Sequence, residues 1–181
     1  MCFKRAMWNK ALYIAAELRK IISYFAGKKS EVQELDLKDV VLAKAILDVH
    51  RKRTHKETIF VPLFSIRQIH LLDRENALQA TRQRLKTLQA CKDELLEAGK
   101  ITCDALARFI PSVSWIKVVQ DRPGEYLAFE GNGRIAAMQE VFTPSDDIEV
   151  EVEQYHFRNT RKIVRRLNRV RRLNGLHGTS A

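Results

Sequence analysis

Glu130-Gly131-Asn132-Gly133-Arg134 is the stretch whose residue types and spacing most suggest chemistry. Gly131, Asn132 and Gly133 all tolerate positive φ, so their backbone N–H groups can turn into one small concavity. The apolar residues 126–129 before the loop read as a strand, and residues 134–142 after it read as a helix. A helix N-terminus adds partial positive charge and free N–H donors. Arg134 adds a planar fork of donors that suits phosphate. The residues therefore fit an anion cradle, and they also fit an ordinary strand-to-helix turn. Glu130 beside the loop is the nearest candidate general base, with Asp73 and Glu75 as further acids. A lone exposed glutamate is more often inert.

Other chemistry finds less support. Cys2, Cys91 and Cys103 form neither a pairable set nor a metal-binding spacing, which suggests free thiols in a reducing cytosol. The five histidines are scattered, so a zinc site is not expected.

The elements that must position the loop can be read from periodicity. Residues 6–26 form an amphipathic pattern with Met7, Ala11, Ile14, Leu18, Ile21 and Phe25 on one stripe. Glu17, Arg19 and Lys20 interrupt it, so neither a membrane span nor a signal peptide is expected. Docking on protein, in a homodimer, or peripherally on a membrane all remain open for it. Gly27-Lys28-Lys29-Ser30 reads as a hinge. Further helices are predicted over 37–50 and 75–98, the second with a leucine seam at Leu78, Leu85, Leu88 and Leu95 and a stop at Gly99. Thr102 can cap a shorter helix that ends before Pro111. Strands are predicted over 59–63, 115–120, 126–129 and 148–153. Pro123-Gly124 suits a type II turn between the middle pair. In the last strand Ile148, Val150 and Val152 should face the core, and Glu149, Glu151 and Glu153 the solvent. Residues 51–56 read as a basic connector, and a helix over 160–174 closes the pattern. Strands and helices in this order predict an α+β fold.

Charge is placed at the two ends. The net charge is +10, yet residues 1–29 carry seven Lys/Arg and one acid, and residues 158–181 carry eight and none. Arg158, Arg161, Lys162, Arg165, Arg166, Arg169, Arg171 and Arg172 form the second cluster. They suit nucleic acid, an acidic protein surface or an anionic membrane. Docking on the glutamate row at residues 149–153 is a further possibility. Phosphate contacts from such an arm would be salt-sensitive and poor in sequence choice.

Three stretches resemble the ParB N-terminal and sulfiredoxin-like family. Val61-Pro62-Leu63-Phe64-Ser65-Ile66-Arg67 looks like the family's V-P-L-x-x-I opening. The hairpin over 115–129 looks like its central strands, and Phe129-Glu130-Gly131-Asn132-Gly133-Arg134-Ile135-Ala136-Ala137 looks like its phosphate-binding loop and helix. The resemblance implies a small mixed sheet with helices over residues 57–157. A helical extension over 1–56 and a basic helix and tail over 158–181 would flank it. It also implies a nucleoside triphosphate with magnesium, held by Gly131, Asn132, Gly133 and Arg134. Arg67 and Arg74 stand where the family often has nucleotide-contacting arginines. Asn132 replaces both the sulfiredoxin cysteine and the acidic ParB residue, which removes the thiolate and weakens hydrolysis. No ParB-type helix-turn-helix is expected after residue 157. The same loop also matches part of the Fic motif, but Tyr126 stands where that chemistry needs a histidine base, and Ala137 where it needs arginine.

The expectation is a bacterial, cytoplasmic phosphate- or nucleotide-binding protein, tethered by its basic ends to DNA or another anionic partner, at the nucleoid or a membrane periphery. A phosphotransferase or nucleotide hydrolase of the same fold, and a non-enzymatic interaction module, are the alternatives.

Overall fold

The computed structural model describes residues 37–70, 75–109 and 115–176. The chain divides into two units between Val40 and Val41. Only residues 37–40 of the first unit are described. The amphipathic stretch 6–26, Asp73 and Arg74 therefore lie outside the described residues.

The fold is α+β. Helix α1 (Leu37–Lys52) runs into strand β1 (Arg53–Pro62), and a 3-10 turn at Leu63–Ser65 leads to β2 (Ile66–Gln68). Helices α2 (Glu75–Ala90) and α3 (Lys92–Ala98) precede the short strand β3 (Lys100–Ile101) and helix α4 (Cys103–Phe109). The hairpin β4 (Lys117–Arg122) and β5 (Glu125–Glu130) feeds α5 (Asn132–Val141). A 3-10 turn at Pro144–Asp146, strand β6 (Glu149–Phe157) and helix α6 (Thr160–Leu173) complete the described chain.

The sheet order is β1-β6-β4-β5-β2, with β3 also on β6. β6 is antiparallel to β1 and parallel to β3 and β4, which lie along the same edge of it. Alternation buries both faces of the central strands. Val118, Ala128, Val150 and Val152 enter a first core with Leu88, Leu95, Leu106, Ile135 and Met138 from α2 to α5. Val119, Leu127, Phe129 and Tyr155 enter a second with Ala45 and Val49 of α1 and Ile163, Leu167 and Val170 of α6. Helices thus cover both faces.

Several sequence expectations change. The helix expected over 75–98 breaks at Cys91, which leaves helical geometry at φ −113° and ψ 16°. Gly99 does end the second piece in the left-handed region, donating to the Leu95 and Leu96 carbonyls. Arg51 and Lys52 end α1, and the rest of the basic connector is the start of β1. Its residues are exposed because β1 is an edge strand, so no apolar alternation marks them. The glutamate row is not simply solvated. Lys100 reaches Glu149 at 3.0 Å, the Cys103 N–H donates to Glu151 at 2.8 Å, and Lys56 binds Glu153, which is buried.

α6 docks through a continuous apolar stripe, and Asn159 caps it by accepting from the Lys162 N–H at 3.0 Å. Leu167 is fully buried and Leu173 is 42% exposed. Leu167→Ala should therefore cost about 2–5 kcal/mol, and Leu173→Ala no more than about 0.5 kcal/mol. Urea unfolding followed by circular dichroism measures both.

Candidate functional site

Gly131 turns the chain from β5 into α5. It sits at φ +91°, where an L side chain is strained. A Cβ there would stand 2.9 Å from Ile116 Cγ1, 3.2 Å from Ile116 Cα and 3.1 Å from Arg134 Nη2. The position therefore needs glycine for its conformation and for its space.

The Gly131 carbonyl accepts from the N–H groups of Arg134 at 2.9 Å and Ile135 at 3.1 Å. Among the described residues, nothing accepts from the N–H groups of Asn132 and Gly133, so the first turn of α5 keeps two donors free. Asn132 turns inward. It is 4% exposed, and its Oδ1 accepts from the Ile69 N–H at 3.0 Å, which pins the end of β2 to the loop. Its side chain is thus a structural tie, while its backbone N–H lines the cradle.

Arg134 carries the site. It is 5% exposed, and its guanidinium curls back over Gly131. No described residue accepts a hydrogen bond from it or forms an ion pair with it. Burial pushes its pKa down. Cys103 and Glu130 oppose that shift, while the positive charge of Arg84 adds to it. A second arginine thus lies within electrostatic reach of the first. Arg84 comes from α2, is half-buried, and has no ion-pair partner among the described residues. Arg84 adds positive potential at Arg134, and Glu130 and Cys103 offset it in part.

The sequence reading passed over Arg84. Its signal was present: Arg84 stands three after Thr81 and four before the buried Leu88, so it occupies the inward stripe of α2. Cys103 lies within electrostatic reach of Arg134. Burial raises its pKa, Arg134 opposes this, and Glu151 and Asp104 reinforce it. The neutral thiol is favoured, which does not suit a nucleophile.

Glu130 is engaged elsewhere. Its Oε2 accepts from Lys117 Nζ at 2.7 Å and its Oε1 meets His50 Nε2 at 2.8 Å. Burial pushes its pKa up, but these two hydrogen bonds outweigh burial and hold it below the ordinary carboxylate range. A base needs the opposite setting.

Arg67 departs from the cradle. It pairs with Leu127 of β5 on the face of the second core, and its guanidinium joins Asp121 and Glu125, the latter at 2.9 Å. α5 packs on the other face. Arg171 lies by the same cluster and is buried, so it is withdrawn from the basic surface. Burial lowers its pKa and Arg67 adds to this, while Asp121 and Glu125 oppose it. Arg166 is likewise withdrawn, by a hydrogen bond to Asp48 of α1. Arg158, Arg161, Lys162, Arg165, Arg169 and Arg172 remain outward, five of them exposed along one side of α6 and Arg158 just before it.

No protein-family model matches this chain, and no curated protein or solved structure matches it either. No helix among the described residues is long and apolar enough to cross a membrane. No group of three or more metal-ligating side chains is gathered among them.

Arg134→Met removes a buried, unmatched charge and keeps most of the volume. The variant should be at least as stable as the parent, whereas a structural arginine would cost about 3–5 kcal/mol when lost. Gly131→Ala should be destabilised by at least about 1–3 kcal/mol through backbone strain alone. Equilibrium urea unfolding of both variants measures this.

Glu130→Gln gives a pH test. A carboxylate with a depressed folded pKa stabilises fully above its unfolded pKa, and this is lost as pH falls through the folded value. The stability gap between parent and variant should be about 1–3 kcal/mol near neutrality and should close on acidification. A gap that is constant with pH would contradict the ion pairing.

Proposed function

We propose that this chain carries a ParB/sulfiredoxin-like domain that binds a phosphate-bearing ligand, a nucleoside triphosphate with magnesium, at the N-terminus of α5. The single observation behind this reading is Arg134, 5% exposed, folded back over Gly131 and in no ion pair with a described residue. An unmatched buried charge costs several kcal/mol in a protein interior, on the order of 3–5 kcal/mol. A phosphate oxygen would relieve that cost. The free N–H groups of Asn132 and Gly133 would hold the same phosphate, and Arg84 would approach from α2.

The role is binding more than turnover. Glu130 is ionised and spent on Lys117 and His50, the Asn132 oxygen is spent on Ile69, and the Cys103 thiol is held neutral. No described side chain in the cradle is left to activate a nucleophile. The ligand would act as a switch, because it would draw together α2, α5 and, through Asn132, the end of β2. The exposed cations of α6 would tether this cytoplasmic domain to an anionic partner, nucleic acid in the first place. Residues 6–26 would add a homodimer contact or a peripheral membrane contact.

Thermal unfolding with inorganic phosphate and with CTP, ATP and GTP, each with magnesium, tests the cradle. A ligand at about a hundred times its dissociation constant adds about 2.7 kcal/mol, which raises the midpoint by roughly 5–10 °C at this size. The expected result is a shift for one nucleotide that Arg134→Met abolishes. A protein that no phosphate compound stabilises, or a shift that survives in Arg134→Met, would sink the proposal.

A further inference from the structure

Where α1 ends, β1 begins and β6 passes into α6, the surface forms a concavity of about 520 Å³. Its lining is Lys52, Arg53, Arg158 and Lys162 around Phe157 and Ile163, with Thr54 and Asn159 as polar neighbours. Four cations and no acid line it. The reading of α6 as a basic arm singled out Arg158 and Lys162. The fold adds Lys52 and Arg53, which come from the other end of the domain sequence.

The state of each cation can be read. Arg158 and Lys162 are exposed and form no ion pair with a described residue. Lys52 reaches Asp48 at 3.0 Å, and Asp48 also accepts from Arg166. The Lys52 hydrogen bond is the largest influence on Asp48; burial opposes it, but its pKa stays lowered, so it remains an anion outside the lining. Arg53 donates to the Tyr155 hydroxyl at 2.9 Å and lies over its ring, 5.1 Å from the centroid, so its guanidinium plane is preset. Asn159 already caps the helix, so the cations supply the attraction and the helix terminus adds little.

We propose that this cleft holds one nucleotide unit of a single-stranded nucleic acid. The base would lie against Phe157, the flanking phosphates would lie on Arg53, Arg158, Lys162 and Lys52, and the strand would continue along the exposed cations of α6. The inference rests on the nucleic-acid reading of α6 and gives it a site. Three features favour this partner. The outward cations of α6 are five arginines to one lysine, and the guanidinium fork matches phosphate where a lysine offers only a point charge. Arg158, Arg161, Arg165, Arg169 and Arg172 recur at three- and four-residue intervals, about one helical turn, and make a narrow line suited to a strand. An aromatic wall among cations is how strand-binding grooves hold a base without reading its sequence. A membrane would call for a broad apolar face among the cations, but Ile163, Leu167 and Val170 of α6 are buried in the second core.

The cleft and the cradle lie with helices on opposite faces of the sheet, so one can fail while the other stands. Fluorescence anisotropy on the full chain should use a labelled oligothymidylate of about twenty nucleotides, a duplex of equal length, and anionic vesicles. The four cations of the cleft contribute about −2.8 to the log–log salt slope on the single strand, and contacts along α6 steepen it further. Arg158→Ala/Lys162→Ala should weaken binding at least tenfold and flatten the slope by about 1.4, with the melting temperature unchanged. Duplex binding that is lost in Arg165→Ala/Arg169→Ala but kept in Arg158→Ala/Lys162→Ala would overturn the cleft and leave the nucleic-acid reading of α6 intact. Failure to bind either nucleic acid at low salt, or binding to vesicles alone, would overturn both.

Discussion

The turn at Gly131 is the constraint on which the site depends. With φ at +91° and Ile116 packed against the space where a Cβ would stand, the backbone can pass from β5 to α5 in only this way. Three consequences follow from one residue. The first two N–H groups of α5 stay unclaimed. The Arg134 side chain is folded back toward the helix start. Asn132 is brought to the Ile69 N–H, so the edge of the sheet at β2 is fixed by the same turn. A larger residue would disturb all three together, because they share one backbone conformation.

The protein is basic, and several of its described cations are paired locally. Asp48 serves both Lys52 and Arg166, while Asp121 and Glu125 serve Arg67 with Arg171 alongside. Glu130 serves Lys117 and His50. Against that background two groups stand out, the buried Arg134 with the half-buried Arg84 in electrostatic reach, and the outward row on α6. They differ in kind. A buried cation is costly to keep unmatched, so it points to a ligand of defined shape. Exposed cations cost almost nothing to keep, and they point to a partner only through their number and alignment.

Much of this was legible in the sequence because it depends on neighbours in the chain. The Gly99 stop, the Thr102 cap, which accepts from the Ala105 N–H at 3.0 Å, and the alternation over residues 149–152 at the start of β6 each follow from local rules. What was not legible depends on distant pairing. The polar start of β1 is a strand only because β6 lies beside it, with Lys56 opposite Tyr155. The helix break at Cys91 falls inside an unbroken leucine spacing, so no local signal marks it. The turn at Gly131 was visible, but Asn132 and Gly133 are the first residues of α5 and not loop, and the occupation of Glu130 by His50 and Lys117, which leaves Arg134 without an ion pair among the described residues, was not visible. Likewise the eight cations near the chain end looked equivalent, and only packing separates Arg166 and Arg171 from the rest.

β6 is the last strand in the described chain, and it pairs with β1, β3 and β4. Synthesis runs from the N-terminus, so β5, β4 and β2 emerge able to form their own three-stranded ladder, while β1 has no partner until β6 has left the ribosome. Val61 must wait for Val150, and Ile59 for Val152. Closure over such a span is slow, because the entropy of the intervening chain must be overcome before the contacts form. During that interval β1 is an unpaired edge with apolar residues, open to pairing with another nascent copy. The polar residues His55, Lys56 and Glu57 at its start then have a use before the fold exists: they keep the waiting strand soluble.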